Sequence, residues 1–224
     1  MSEFQARVRA VRLARGIDAR VEAARALRDD YPASDTIPQS VAIEVAMLLR
    51  DCSDWQDCID YIDALPESLR GLSQLQEQRC LALSKTGNHL EAIGALEQFI
   101  DRSGDSSERQ GLIGGRYKKL ADEARGDSDT NAYHHYIDLA IVHYERGMHL
   151  DLNDYYPSSN LPRLYRERDE EGDGQLAEMV AQVAMMACER ARARNSQDEW
   201  LNPTLLGLAF DAADLKRARE CVKA

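Results

Sequence analysis

The stretch GNHLEA, residues 87–92, sets out the plan of a helix junction. A small residue ends one helix, polar residues turn the chain, and a second small residue five positions later allows the next helix to pack closely. Four other stretches follow this plan, the last of them weakly: SDWQDC (53–58), GDGQLA (172–177), ADLKRA (213–218) and GIDARV (16–21). Apolar residues between the junctions recur at helical spacing, and alternating strand-like runs are missing. The sequence therefore predicts an all-α protein.

The junctions recur at intervals close to the length of one helical hairpin. They start at residues 16, 53, 87, 172 and 213, which are 37, 34, 85 and 41 residues apart. The 85-residue interval hides a further unit, whose second helix carries the small–aromatic–small series Ala140, Tyr144 and Gly147. Hairpins that repeat about every 34 residues are typical of tetratricopeptide repeats, which bury their apolar faces by stacking. We predict one tetratricopeptide-like α-solenoid of about six antiparallel helix pairs, a single domain over residues 1–224.

The charge and hydropathy of the chain argue against several classes of partner. It has 28 basic and 39 acidic residues, a formal net charge of −11, whereas a protein that binds nucleic acid needs a basic surface. No apolar run approaches the roughly 20 residues of a membrane span. The arginine-rich start, residues 1–16, invites comparison with a transit peptide but lacks serine enrichment, so we interpret it as a first solenoid helix. We expect a cytoplasmic protein with no nucleic-acid or membrane partner.

The sequence predicts neither a metal site nor a catalytic site. The five cysteines are odd in number and irregularly spaced, which fits neither a disulfide framework nor a zinc site. The histidines between residues 134 and 149 include no i, i+4 pair. The glycines of GLIGG (111–115) lack the sequence context of a phosphate loop, so we interpret them as sites of close helix approach. Because no nucleophile motif is present, we expect neither enzyme activity nor a cofactor.

Three segments in the second half of the chain occur in a recognisable order. They are GLIGGRYKKLADEA (111–124), AIVHYERGMHLDLNDYYPSSN (140–160) and EWLNPTLLGLAFDAADLKRA (199–218). This order resembles the TRAFs-binding domain family, the tetratricopeptide-like region of apoptosis signal-regulating MAP kinase kinase kinases and of many bacterial proteins. The resemblance is strongest over residues 106–224, although the chain has Ser-Ser-Asn where Gly-Ile-Asn is expected after the proline. It implies an interaction module in a signalling or defence assembly.

The NDYYP segment is predicted to be a corner between two helices. Asp154 suits a turn, Pro157 should stop the incoming helix, and Asn160 is a good N-cap for a following helix. Tyr155 and Tyr156 would then lie between two helix pairs, where a phenol can bury its ring and keep its hydroxyl paired. We interpret the segment as a structural corner, with a docking site as the alternative.

The docking alternative rests on a cluster of tyrosines and basic residues. Seven of the nine tyrosines lie between residues 117 and 165, and tyrosine and arginine often anchor interfaces. Arg116, Lys118 and Lys119 add a basic patch suited to an acidic peptide or a carboxylate, unless they form an ordinary solvated helix face. The candidate partner-binding residues are Arg116, Tyr117, Lys118, Tyr144, Tyr155 and Tyr156.

The repeat pattern and the resemblance together predict a non-catalytic adaptor that binds a protein or peptide partner in the solenoid groove. The alternative is a sensor that binds a small ligand in the tyrosine and arginine pocket and regulates a partner effector protein. The sequence leaves the identity of the partner, the oligomeric state and the binding face open.

Overall fold

The computed structural model describes residues 3–194, 198–212 and 214–223. Within these ranges the chain forms thirteen helices and no strand, which confirms the predicted all-α class. The helices are α1 (Glu3–Leu13), α2 (Ile17–Asp30), α3 (Gln39–Cys52), α4 (Trp55–Ala64), α5 (Glu67–Arg70), α6 (Ser73–Lys85), α7 (His89–Ser103), α8 (Ser107–Gly126), α9 (Thr130–Leu150), α10 (Tyr155–Arg168), α11 (Asp173–Ala193), α12 (Leu201–Asp211) and α13 (Leu215–Lys223).

The helices follow one another as six antiparallel pairs, as predicted. The pairs are α1–α2, α3–α4, α6–α7, α8–α9, α10–α11 and α12–α13, and α5 is a single four-residue turn between α4 and α6. The α8–α9 pair is the unit predicted within the 85-residue interval. Four predicted junction residues lie between the helices of a pair, namely Gly16, Ser53, Gly87 and Gly172. The fifth, Ala213, lies outside the described residues.

Short polar side chains fix where several helices begin. Asp54, Ser106 and Asp129 precede α4, α8 and α9, and each accepts a hydrogen bond from the backbone N–H three residues later, at 2.8–3.2 Å. These N-caps satisfy backbone donors that have no partner within the helix. Gly87, between α6 and α7, has a φ of 84°, which glycine adopts without strain. Helices therefore end and begin at these junctions because capping side chains and non-helical backbone conformations occur there.

The chain divides into two compact units, residues 1–103 and residues 104–224. The first contains α1–α7 and the second contains α8–α13. Each unit has its own buried apolar clusters. The single domain expected over residues 1–224 stays a prediction.

In the first unit an ion-pair cluster connects α4 to α2. The carboxylate of Asp57 accepts hydrogen bonds from Arg25 at 2.6 Å and from Arg28 at 3.1 Å. Burial alone would raise the pKa of Asp57, but its hydrogen bonds and the two arginine charges together lower it. The cluster therefore favours the charged carboxylate in the folded state and strengthens the contact between the two helices.

In the second unit, three glycines of α8 lie against tyrosine rings. A Cβ atom added at Gly111 would lie 2.8 Å from ring carbons of Tyr156, and one added at Gly114 would lie 2.9 Å from ring carbons of Tyr144. A Cβ atom at Gly115 would lie 2.9 Å from the hydroxyl oxygen of Tyr156. The interpretation of the GLIGG stretch as a site of close helix approach is therefore confirmed, since larger residues would collide with these rings.

Candidate functional site

A groove of about 790 Å³ opens on the surface of the second unit. Its walls are α8, α10 and α12, the first helices of three consecutive pairs, together with the residues just before α12. The lining positions on α10 recur as 155, 156, 159, 160, 163, 164 and 167, which places them on one face of that helix. The groove includes five of the candidate residues predicted from the sequence: Lys118, Asp154, Tyr155, Tyr156 and Asn160.

Asp154 fixes the start of α10 and connects it to α8. Its Oδ1 accepts a hydrogen bond from the backbone N–H of Tyr156 at 3.0 Å, which makes Asp154 the N-cap. Its Oδ2 accepts a hydrogen bond from the hydroxyl of Ser107, the first residue of α8, at 2.8 Å. A negative charge is also favoured at this position by the dipole of α10. One carboxylate therefore sets the relative positions of two groove walls.

The helix boundary predicted at this corner is wrong. The preceding helix α9 ends at Leu150, so Pro157 does not stop it, and α10 begins at Tyr155 rather than after Asn160. Pro157 lies in the first turn of α10, where its missing N–H leaves no helical hydrogen bond unmade. Asn160 lies inside the helix, where its side-chain nitrogen donates to the carbonyl of Tyr156 at 2.8 Å. The physical reason is the acidic cap described above, which starts the helix before the proline.

Lys118 and Asn160 join the α8 and α10 walls of the groove. The Nζ of Lys118 donates a hydrogen bond to Oδ1 of Asn160 at 2.6 Å. Burial lowers the pKa of Lys118, and the nearby charge of Arg163 lowers it further. The amide of Asn160 is thus held from two sides, by Lys118 and by the helix backbone. This contact positions Asn160 as a wall residue instead of the helix cap that the sequence predicted.

Tyr155 and Asp198 connect α10 to the segment before α12. The hydroxyl of Tyr155 donates to the carboxylate of Asp198, which also accepts the backbone N–H of Trp200 at 3.0 Å. Burial and the hydrogen bond to Asp198 raise the pKa of Tyr155. Trp200 lines the groove and yet is 66% exposed. An exposed tryptophan in a groove provides the kind of aromatic surface that anchors protein partners.

The α8 residues Arg116, Tyr117 and Lys118 do not form one surface. Successive side chains on a helix differ in direction by about 100°, and of these three Lys118 alone lines the groove. Tyr117 instead stacks on His143 and on Tyr136, with ring centroids 5.4 Å and 6.3 Å apart. The structure therefore does not bring the predicted basic residues together.

Tyr144 and Tyr156 form an aromatic pair that supports the groove wall. Their rings meet edge to face with centroids 6.0 Å apart. Burial is the main reason that the pKa of both hydroxyls is raised, and the charge of Arg116 offsets this rise only in part. The Nε of Arg116 is itself buried and has no hydrogen-bond partner among the described residues. Tyr144 is 1% exposed, so it shapes the wall from behind and does not line it.

The wall formed by α12 and by Trp200 just before it was not predicted from the sequence. Trp200, Thr204, Gly207, Leu208 and Asp211 all line the groove. Their spacing is that of one helical face, so the signal was present in the sequence. What the sequence could not indicate is that this face lies opposite α8 and α10, because that depends on how three helices pack.

The groove is acidic. Among the described residues that line it are two cationic side chains, Lys118 and Arg163, and six carboxylates. This differs from the predicted basic patch because Arg116 and Lys119 do not line the groove, while α10 with its N-cap residue, α12 and the segment before α12 contribute four acids. The carboxylates are Glu108, Asp122, Asp154, Glu167, Asp198 and Asp211.

Across residues 3–194, 198–212 and 214–223, no group of three or more His, Cys, Asp or Glu side chains is arranged to hold a metal ion. No helix in the described part of the chain is long and apolar enough to cross a bilayer. His143 has a structural contact, since its Nδ1 lies 2.7 Å from Oε1 of Gln110.

Solved structures that resemble this chain are tetratricopeptide repeat (TPR) proteins. MamA from Desulfovibrio magneticus RS-1, residues 41 to the end, has a TM-score of 0.57 at 16% identity, covering 88% of this chain and 96% of that one. The ArsTM double mutant of MamA RS-1 also has a TM-score of 0.57, at 14% identity, with coverages of 84% and 94%. YrrB, a TPR protein with an unusual peptide-binding site, has a TM-score of 0.52 at 13% identity, with coverages of 91% and 100%. These likenesses confirm the predicted tetratricopeptide-like α-solenoid class.

Sequence comparison gives the family. Comparison with curated proteins yields no match. A family model described as Tetratricopeptide Repeats-Sensor matches residues 54–165, which is half of the chain. This range includes α8, α9 and most of α10, and so two of the three groove walls. The chain therefore belongs to the Tetratricopeptide Repeats-Sensor family.

Proposed function

We propose that this protein is a non-catalytic interaction module that binds a peptide segment of a partner protein in the groove between α8, α10 and α12. The fold and the family support a protein-interaction module in general. YrrB, which has a similar fold at 13% identity, is a TPR protein with a peptide-binding site. The observation that carries the assignment to this groove is its exposed aromatic wall, where Trp200 is 66% exposed beside Tyr155.

The lining of the groove favours a peptide over a small molecule. Eight of its seventeen described lining residues are charged. Small-ligand sites are mostly apolar and enclosed, with few polar groups, whereas interfaces combine aromatic anchors with a polar rim. A groove with one exposed tryptophan and many charged side chains fits the second description. The small-ligand sensor is therefore the less favoured alternative.

Several narrower expectations stay predictions. Membership of the TRAFs-binding domain family and a place in a signalling or defence assembly rest on the resemblance over residues 106–224. A cytoplasmic location and the absence of nucleic-acid, membrane and cofactor binding rest on composition and on motifs. Direct contact of Arg116, Tyr117 or Tyr144 with a partner receives no support from the groove lining.

Gly207 offers a way to block the groove without disturbing the fold. It lies on the groove face of α12, and a Cβ atom added there meets no described atom within 4 Å. Gly207→Trp should therefore place a large side chain in the groove. Gly174→Trp is the matched control, because Gly174 lies on α11 of the same unit, is equally open and does not line the groove.

The test compares the proteins that wild type and the two variants retain from extracts of the native host, by affinity purification and mass spectrometry. We expect a partner that wild type and Gly174→Trp retain and Gly207→Trp loses. Thermal melting should show that all three proteins are equally folded. Retention of the same partners by both variants would contradict binding in the groove.

A further inference from the structure

The charge of the groove indicates the chemistry of the segment that binds in it. Six carboxylates and two cationic side chains line its described part, a formal balance of −4. One of the two cations, Arg163, already pairs with Glu167 at 2.7 Å. The other, Lys118, donates to the neutral side chain of Asn160. The groove therefore carries an excess of negative charge that its own cations do not balance.

Two arginines and a lysine beside the groove reduce this excess without removing it. Arg125 lies 2.7 Å and Lys119 4.0 Å from Asp122, and Arg166 lies 3.4 Å from Asp211. These pairs are more than two fifths exposed, so water and salt screen them. Asp154 accepts hydrogen bonds from a hydroxyl and from a backbone N–H, both of which are neutral and leave its charge in place.

We propose that the groove binds a cationic peptide segment, one that carries lysine or arginine side chains. This rests on the proposed function and adds the charge of the ligand. Opposite charge would steer the segment into the groove and favour it over acidic competitors. Trp200 follows Asp198 closely in the groove wall, and a guanidinium or ammonium group can contact an aromatic face and a carboxylate together. The acidic ligand expected from Arg116 is thereby replaced by a basic one.

A display library of short random peptides, selected on the full chain, tests the proposal. Each selected clone is measured against wild type, Gly207→Trp and Gly174→Trp, and its net charge is read from its sequence. We expect clones with positive net charge that lose binding to Gly207→Trp and keep it to Gly174→Trp. Groove-dependent clones that are neutral or acidic would overturn the cationic assignment and leave groove binding intact. A selection without any groove-dependent clone would overturn groove binding itself.

Charge variants give the second arm of the test. Glu108→Gln combined with Asp211→Asn removes two lining carboxylates, whereas Glu171→Gln combined with Glu178→Gln makes the same change in net charge on exposed residues outside the lining. For a synthetic peptide from the selection, we expect the groove variant to weaken binding by up to about fivefold for each carboxylate. The control should bind like wild type, and added salt should weaken wild-type binding. Equal affinities of the two double variants would overturn the proposal.

The alternative occupant of the groove is a second copy of the chain. Light scattering after size-exclusion chromatography gives the mass of wild type, Gly207→Trp and Gly174→Trp. We expect the same mass for all three proteins. A dimer that forms with wild type and Gly174→Trp but not with Gly207→Trp would assign the groove to a second copy and overturn the proposal.

Discussion

Gly114→Ala should destabilise the second unit, although the same change stabilises most helices. The added Cβ atom would lie 2.9 Å from two carbon atoms of the Tyr144 ring, against about 3.5–4.0 Å for a favourable carbon contact. The ring has little room to retreat, because Tyr144 is 1% exposed and packs edge to face on Tyr156. The substitution therefore forces either α8 or the ring to move.

The expected magnitude follows from two opposing contributions to the free energy of unfolding. Overpacking a dense core costs about 1–3 kcal/mol, and replacing a helical glycine by alanine returns about 1 kcal/mol. Because the collision is with rigid ring carbons, we expect a cost near the top of the range and a net loss of about 1–2 kcal/mol. At Gly207 an added Cβ atom meets nothing described within 4 Å. Gly207→Ala should therefore stabilise the protein by about 1 kcal/mol.

Urea unfolding followed by far-UV circular dichroism measures both variants against wild type. A double-mutant cycle with Tyr144→Leu isolates the collision, since Gly114→Ala should cost less once the ring is absent. Two results would refute the reasoning. One is a Gly114→Ala protein as stable as Gly207→Ala, and the other is an unchanged cost of Gly114→Ala in the Tyr144→Leu background.

Three further predictions concern stability. Asp154→Ala should lower the free energy of unfolding by about 1–2 kcal/mol because it removes the cap of α10. Asp154→Asn should lower it less because the amide keeps an acceptor, and equal losses in urea unfolding would contradict this. Ala177→Leu should lower the free energy of unfolding by about 1–3 kcal/mol, because Ala177 is 1% exposed and a larger side chain would overpack the core. Lys85→Ala on the surface should change it by no more than about 0.5 kcal/mol, and similar melting shifts for the two variants would contradict the packing argument. Hydrogen bonds from Arg168 lower the pKa of Asp173 in the folded protein. Asp173 should therefore contribute fully to the free energy of unfolding above its ordinary pKa of about 4, and this contribution should be lost as the pH falls through the lower folded pKa. Asp173→Asn should therefore flatten the acid side of the stability profile, and parallel profiles for variant and wild type would count against this.

The helix pairs could be predicted because their signals are local. Gly16, Ser53, Gly87 and Gly172 are followed by residues whose own backbone and side-chain preferences end one helix and begin the next. The four-residue helix α5 had no such signal, since one turn is too short to show an apolar period. The junction residues were therefore enough to predict the number of helix pairs, whereas short connecting helices could not be predicted.

The start of α10 could not be predicted because two good caps compete. Asp154 and Asn160 both suit an N-cap, and Pro157 or Pro162 would lie in the first turn of the helix that each of them would start. In the observed helix Pro162 lies in the interior. Asp154 is favoured by its hydrogen bond to Ser107, which lies 47 residues away in the sequence. A hydrogen bond between residues so far apart cannot be predicted from the local sequence.

The charge of the groove also depends on long-range packing. Arg116 and Lys118 are close in sequence but diverge on the helix, and carboxylates such as Asp198 and Asp211 arrive from residues near the C-terminus. Tyr155 and Tyr156, which the sequence offered as partner-binding residues, both line the groove, and their contact with a partner stays a prediction. The sign of the charge on the ligand could not be predicted from the sequence, because the net charge of the groove depends on how the three helices pack.

Hydrogen–deuterium exchange of the full chain, with and without a saturating groove-binding peptide, tests the central claim most directly. Binding in the groove should slow exchange in the walls, over residues 155–168 and 201–211, because a bound segment stabilises those helices against local opening. Exchange over residues 173–193 of α11, which does not line the groove, should change less. Protection confined to α11 or to residues 1–103, with the groove helices unchanged, would contradict the account.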